Sequence, residues 1–185
     1  MPHKLGDYMI HDPGGKKKPS WPFNSVVRAD YSNCGRYRYY LSEIWDSERP
    51  LVMFLMMNPS VAGVEYADPT LIKTGTYARA WGYGGQLVGN FHAYRVTNSK
   101  RLTEAKDPVG SMNDAALLDM ASDAEIIVLA YGLPPKPLQL RSTAVVGLLK
   151  GIRPLKYLQL TKNGTPSHPL YLKSKLKPLD FLLNS

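Results

Sequence analysis

Apolar residues occur along this chain in short blocks that alternate with longer stretches of helical period. Four blocks predict strands of a buried sheet, at residues 51–57, 86–91, 125–131 and 156–160. Helices are predicted over 69–81, 112–122, 138–150 and 176–183. The first helix has a clear start signal, because Asp68 can cap it and Pro69 suits its first position.

Two further strands precede this pattern. Residues 26–31 and 37–45 are rich in β-forming side chains, and Ser32-Asn33-Cys34-Gly35 between them predicts a hairpin turn. After the hairpin, strands and helices alternate, which indicates a mostly parallel sheet with helices on both faces. The predicted fold class is therefore α/β: a three-layer α/β/α arrangement with a mostly parallel four-stranded central sheet, plus an N-terminal β-hairpin.

The chain divides into two parts. Residues 1–24 contain Gly14-Gly15, three consecutive lysines and several prolines, and they predict a basic, flexible arm. Residues 25–185 are expected to form a single α/β domain, which is long enough to bury a core.

Charge and cysteine content narrow the possible functions. The chain has 23 Lys and Arg against 15 Asp and Glu, and its net charge of +8 favours a polyanionic partner. The single cysteine, Cys34, excludes a disulfide framework and a cysteine-rich zinc site, and it is typical of a reducing cytoplasm. No apolar stretch has membrane-spanning length. We therefore expect a cytoplasmic monomer without membrane contacts.

Polar and aromatic residues lie at or just after the end of each of the four predicted core strands. In sheets of this kind, ligands bind beyond the carboxyl ends of the strands, so we expect these residues to meet at one edge. Pro166 and Pro169 restrict the loop that carries His168, so the imidazole can be held with little entropy left to lose. The residues are Asn58, Pro59, Ser60, Asn90, Phe91, His92, Tyr131, Gly132 and His168.

Several of these side chains have a functional and a structural interpretation. The amide of Asn90 can read the edge of a nucleobase, or it can satisfy its own loop backbone. Phe91, Tyr131 and Tyr171 can stack on a base, or they can pack in the core or at its rim.

The candidates for water activation are equally open. Asn58 can hold a water molecule or a base, or it can be a turn residue before Pro59. Asp68 can be a general base or only a helix cap. His92 and Arg95 follow Asn90 closely and are candidates for contact with substrate or phosphate.

A metal or nucleotide cofactor is not expected. The histidines are too scattered for a two-histidine helical motif, and no carboxylate pair has matching spacing. The glycines at 82–85 lie between a helix and a strand, which is the wrong place for a dinucleotide-binding turn.

Several short motifs occur in order along most of the chain. They are Met57-Asn58-Pro59-Ser60, Asp68-Pro69-Thr70, Ala80-Trp81-Gly82-Tyr83-Gly84-Gly85, Asn90-x-x-Ala93-Tyr94-Arg95 and His168-Pro169-Leu170. This order resembles a domain family of unknown function that is widespread in bacteria and their phages.

More distantly, the same motifs resemble the uracil-DNA glycosylase superfamily. The resemblance implies that Asn58, Pro59 and Ser60 form the first motif, that Asn90 reads the base, and that His168 stabilises the leaving base. It also implies that Leu170 or Tyr171 fills the vacated stack. Ser60 stands where that superfamily has Gly, and no carboxylate precedes Pro59, so a modified base is a better expectation than uracil.

The function expected from these observations is that of a DNA glycosylase-like enzyme, which flips out a base and hydrolyses its N-glycosidic bond without a cofactor. The phosphates would be held by Arg95, Lys173, Lys175 and Lys177. DNA is favoured over RNA. Two alternatives remain open: a non-catalytic module that recognises modified DNA, and an enzyme of a nucleobase-modification pathway, either of them in phage or in phage defence.

Overall fold

One mixed sheet of seven strands forms the centre of the molecule in the computed structural model, which describes residues 18–60 and 62–182. The strands are β1 (Val26–Tyr31), β2 (Arg38–Ile44), β3 (Leu51–Met56), β4 (Gly85–Asn90), β5 (Ala124–Leu129), β6 (Leu155–Tyr157) and β7 (Leu179–Asp180). Their order in space is β1-β2-β4-β3-β5-β6-β7. The inner pairs β4–β3, β3–β5 and β5–β6 are parallel, whereas β1–β2, β2–β4 and β6–β7 are antiparallel.

Three α-helices connect these strands, with short 3₁₀ turns at Ser99–Glu104, Lys136–Leu138 and Pro169–Tyr171. The helices are α1 (Pro69–Ala80), α2 (Asn113–Asp123) and α3 (Gln139–Leu149). As predicted, Asp68 caps α1: its Oδ1 accepts a hydrogen bond from the Leu71 backbone N–H at 2.9 Å. Asp68 is therefore fixed at the N-terminus of α1.

The core lies on the two faces of β3, where successive side chains point in opposite directions. Val52 and Phe54 pack with Leu71 and Tyr77 of α1 in one cluster. Met53 and Leu55 belong to a second cluster with residues of α2 and α3. Burial on both faces explains why the sequence of β3 is almost wholly apolar.

The predicted fold class is wrong. The sheet has seven strands and mixed direction, not four mostly parallel strands in a three-layer α/β/α arrangement with a separate hairpin. The hairpin continues the sheet, because Ser42 of β2 pairs with Leu87 of β4. At the other edge, β7 pairs with β6 inside residues 176–183, where a closing helix was expected. Both errors concern pairing between distant segments, which a local pattern does not encode.

The N-terminal arm lies partly outside the described residues, which begin at Lys18. The described end of the arm contacts the loop before α1. The Pro19 carbonyl accepts from the Ala67 N–H at 2.9 Å, and Trp21 Nε1 donates to the Gly63 carbonyl at 2.9 Å.

A buried polar network joins β2, α1 and β4. Glu43 is 1% exposed; its Oε1 accepts from Arg79 and Ser25, each at 2.7 Å, and its Oε2 accepts from Gln86 at 2.7 Å. Gln86 in turn accepts from the Thr74 hydroxyl at 2.6 Å. The network fixes the relative positions of three elements that contribute residues to the cavity described next.

Candidate functional site

A cavity of about 560 Å³ lies at the carboxyl ends of β3 and β4. Its wall also includes the start of α1, the loop after β5, and the segment that contains His168 and the last 3₁₀ turn. The cavity is lined by these predicted site residues: Asn58, Ser60, Asp68, Asn90, Tyr131, His168, Leu170 and Tyr171. Of the residues expected to meet at this edge, Asn58, Ser60, Asn90, Tyr131 and His168 line the cavity, whereas Pro59, Phe91, His92 and Gly132 do not. The roles of all of them stay predictions.

Asn90 contributes a buried side chain whose amide is available to a ligand. The residue is 3% exposed, and none of the described residues hydrogen bonds to its side-chain amide. Its backbone is held firmly, because Asn113 Nδ2 donates to the carbonyls of Asn90 and Phe91, each at 3.0 Å. Arg141 Nε adds a bond to the Phe91 carbonyl at 2.9 Å. A fixed backbone with an unpaired amide suits reading of a polar edge.

Asn58 is partly committed to the structure of its own loop. Its Nδ2 donates to the carbonyls of Val96 at 2.6 Å and Pro59 at 2.9 Å. Both amide hydrogens are thereby used, so toward a ligand or water Asn58 has only its Oδ1 acceptor.

Asp68 contributes a carboxylate that is 9% exposed. Oδ1 caps α1, whereas no described residue donates a hydrogen bond to Oδ2. The cap fixes the side chain, and the second oxygen is therefore suited to accept a hydrogen bond from water.

His168 starts the 3₁₀ turn Pro169–Tyr171, and its Nδ1 accepts from the Leu170 N–H at 3.4 Å. An accepting Nδ1 means that the proton of the neutral ring is on Nε2, which is then a donor. The loop is held against Gly132, which has a φ of +70°, and whose N–H donates to the Pro166 carbonyl at 2.9 Å. Glycine suits this position because residues with side chains rarely adopt its positive φ.

The aromatic candidates separate into core and rim. Phe91 does not line the cavity; it is fully buried and packs edge-on against Tyr131, with ring centroids 4.6 Å apart. Tyr131 lines the cavity, and burial raises the pKa of its hydroxyl. Tyr171 is 87% exposed at the rim, with its ring centroid 6.5 Å from that of His168.

The remaining candidates lie outside the cavity lining. Arg95 donates to the Gly35 carbonyl at 2.9 Å and lies over the Tyr31 ring. Pro59 accepts from the Val96 N–H at 3.1 Å and so closes the loop. Lys173, Lys175 and Lys177 are exposed on the segment that follows the His168 loop and runs along α1.

His92 is buried and does not line the cavity. Burial lowers the pKa of its imidazole to about 4, so the ring is neutral at physiological pH. His92 therefore offers no cation to a substrate phosphate.

Sequence reasoning missed one cavity residue, Arg38, and the structure adds an observation on the predicted residue Ser60. Arg38 of β2 lines the cavity although it is almost fully buried, and the Ser60 hydroxyl is buried without a hydrogen-bond partner among the described residues. A charged residue within a predicted strand was the available signal for Arg38, but the strand pattern does not tell which face it occupies.

A model of a protein family described as "Protein of unknown function (DUF1643)" matches residues 38–170, well over half of the chain. The chain belongs to the DUF1643 family. The prediction of a family of unknown function is thereby confirmed. The DUF1643 match begins at Arg38 and ends at Leu170, so it includes the cavity-lining residues apart from Tyr171.

Among curated proteins and among solved structures, none matches the chain significantly. The resemblance to uracil-DNA glycosylases therefore stays a hypothesis. None of the helices in residues 18–60 and 62–182 has the length and apolar character needed to cross a membrane. Within the same residues, no group of three or more His, Cys, Asp or Glu side chains forms a candidate metal site.

Proposed function

We propose that this DUF1643 protein is a hydrolase of the DNA glycosylase type, which binds a flipped-out nucleobase in the cavity and cleaves its N-glycosidic bond. One observation carries the proposal: the side-chain amide of Asn90, which has no hydrogen-bond partner among the described residues, shares a single cavity with His168 and Asp68. A base-reading group, a donor for the leaving base and a carboxylate for water are the three parts that such a reaction requires.

The dimensions of the cavity suit a base with part of its sugar. Its volume of about 560 Å³ lies in the range of ordinary small-molecule sites. In this proposal Asn90 reads the base edge, the Tyr131 ring contacts the base face, and Tyr171 or Leu170 enters the vacated stack. The exposed lysines at 173, 175 and 177 bind the flanking phosphates.

The reaction uses the groups in a simple order. The oxygen of water bonds to C1′ of the sugar as the bond from C1′ to the base nitrogen breaks, and the electron pair leaves with the base. Asp68 Oδ2 accepts the proton of the water, and Asn58 Oδ1 orients it. The Nε2–H of His168 stabilises the negative charge on the departing base, which then takes up a proton from the solvent while Asp68 returns its proton to the solvent.

The proposal is tested with single-stranded and double-stranded oligonucleotides that each contain one normal or modified base. After incubation, alkali breaks the strand at any abasic site, and mass spectrometry identifies the free base. We expect release of one class of base from an intact sugar. Tight binding without release would instead support the non-catalytic module, and absence of both would contradict the proposal.

Asp68→Asn separates the chemical role of Asp68 from its role as a helix cap. Asn caps helices about as well as Asp, so the fold should be kept. Loss of the basic oxygen is expected to slow base release roughly 100-fold. Asp107→Asn is the matched control, because Asp107 also accepts from backbone N–H groups, of Val109 and Gly110, but lies outside the cavity. Equal rates in the two variants would exclude Asp68 as the base.

A further inference from the structure

Arg38 is a buried cation in the wall of the cavity, and the mechanism above does not use it. The residue is 3% exposed and stands at the start of β2. Its Nη1 donates to the Ala62 carbonyl at 2.7 Å, whereas its Nε is buried without an acceptor among the described residues. The guanidinium is therefore only partly satisfied by the protein.

The charge of Arg38 has no ion-pair partner in the described part of the chain. None of the ion pairs found there, at 4.0 Å or less, includes Arg38. Burial lowers its pKa to about 10; Tyr31 and Asp68 oppose this effect electrostatically, and Arg95 adds to it. Asp68 attracts the Arg38 charge without forming an ion pair with it. The carboxylate of Asp68 also interacts with the N-terminus of α1. Arg38 consequently remains protonated at neutral pH.

A buried charge without a partner destabilises a protein, so such groups usually have a partner that binds them. A guanidinium can form two parallel hydrogen bonds with a phosphate, a carboxylate or the acceptor pair of a base. Asn90, whose amide has no partner in the described part of the chain, lines the same cavity as Arg38, so one ligand can reach both residues. The missing partner is then a part of the ligand.

We propose that Arg38 binds a phosphate or carbonyl oxygen of the ligand in this cavity, and that it thereby selects nucleotide-type ligands with such an oxygen close to the base. The inference rests on the proposed function, since it takes the cavity as the substrate site. The oxygen has two possible sources: the phosphate of the flipped nucleotide, or a carbonyl oxygen of the base, which accepts hydrogen bonds already in the intact nucleotide. The two sources differ in whether a phosphate is needed for binding.

Isothermal titration of the full chain with inorganic phosphate, nucleosides and their 5′-monophosphates distinguishes the sources. The variant is Arg38→Met, which keeps the volume and removes the charge, and the control is Arg49→Met at an exposed arginine. Loss of charge-assisted hydrogen bonds should weaken binding by roughly 10- to 100-fold. If only phosphate and monophosphates lose affinity, the phosphate is the partner. If nucleosides lose affinity equally, the base is the partner.

Thermal unfolding gives a second readout that a structural role would not produce. Removal of an unpaired buried charge should raise the melting temperature of Arg38→Met by about 2 °C or more. Arg38→Lys keeps the charge but loses the planar guanidinium, so it should also weaken binding at least about 10-fold. This variant replaces Arg38→Met in the test if Arg38→Met does not fold.

Three results would overturn the inference: unchanged affinities in both variants, a lower melting temperature with unchanged affinity, or failure of the wild-type protein to bind any of the probes. Binding that depends on Arg38 without any base release would leave this inference standing while ending the glycosylase proposal. Base release that does not depend on Arg38 would support the glycosylase proposal and contradict this inference.

Discussion

The His168→Ala variant is expected to release base roughly 100- to 1000-fold more slowly than the wild-type protein. Its affinity for the same oligonucleotide should change by less than about threefold, because the hydrogen bond to the departing base gains strength only as negative charge develops. Single-turnover kinetics and a binding titration measure the two quantities separately.

A large loss of rate in His168→Ala is expected because the loop fixes the position of the imidazole. Nδ1 of His168 accepts from the Leu170 N–H, so Nε2 is the donor, and the prolines at 166 and 169 limit its movement. A donor fixed before the reaction costs little reorganisation as charge develops. Added imidazole should restore part of the rate of His168→Ala, and Lys162→Ala in the same connection is a surface control. Equal loss of binding and release in His168→Ala would exclude the catalytic role.

The Glu43→Ala variant is expected to lose about 3–5 kcal/mol of unfolding free energy, because the donors of Ser25, Arg79 and Gln86 lose their common acceptor in a largely buried network. For a domain of this length, that loss lowers the melting temperature by roughly 6–20 °C. Glu43→Gln keeps the shape and one acceptor, so its loss should be smaller, about 1–3 kcal/mol. Urea titration followed by circular dichroism measures the unfolding free energy of the wild-type protein, Glu43→Ala and Glu43→Gln.

Glu104→Ala is the matched control for the Glu43 network. Glu104 forms an exposed ion pair with Arg101 at 3.3 Å, so its removal should cost less than about 1 kcal/mol. A Glu43→Ala protein as stable as Glu104→Ala would show that the buried network does not hold β2, α1 and β4 together. The account of how Arg38, Asp68 and Asn90 are positioned would then need revision.

The sequence patterns predict the inner strands because each is encoded locally. The apolar run of β3 predicts a buried strand, and the pair Asp68-Pro69 predicts the start of α1. The antiparallel pairing of β2 with β4 and the short strand β7 depend on contacts between distant segments. No local pattern fixes such pairing, which is why the predicted fold class was wrong.

For the candidate site, too, the sequence predicts the residues that local patterns place and misses those that depend on pairing between distant segments. Asn90 ends β4, and Asn58 and His168 follow β3 and β6 in the parallel part of the sheet, so their convergence follows from topology. Phe91 continues β4 but turns into the core beside Tyr131. Arg38 comes from the hairpin, whose place in the sheet the local pattern did not predict, and it was therefore missed.

The most direct test of the central claim is the nuclear magnetic resonance signal of the Asn90 side-chain amide. The protein is labelled with ¹⁵N and titrated with normal and modified deoxynucleosides and with single-stranded oligonucleotides that carry the same bases. Loss of the signal in Asn90→Asp assigns it, and the amide of Asn113, already bonded to two backbone carbonyls, is the internal control. We predict that one class of base shifts the Asn90 amide while that of Asn113 stays nearly unchanged. If no base or oligonucleotide shifts the Asn90 amide, the cavity is not a nucleobase site.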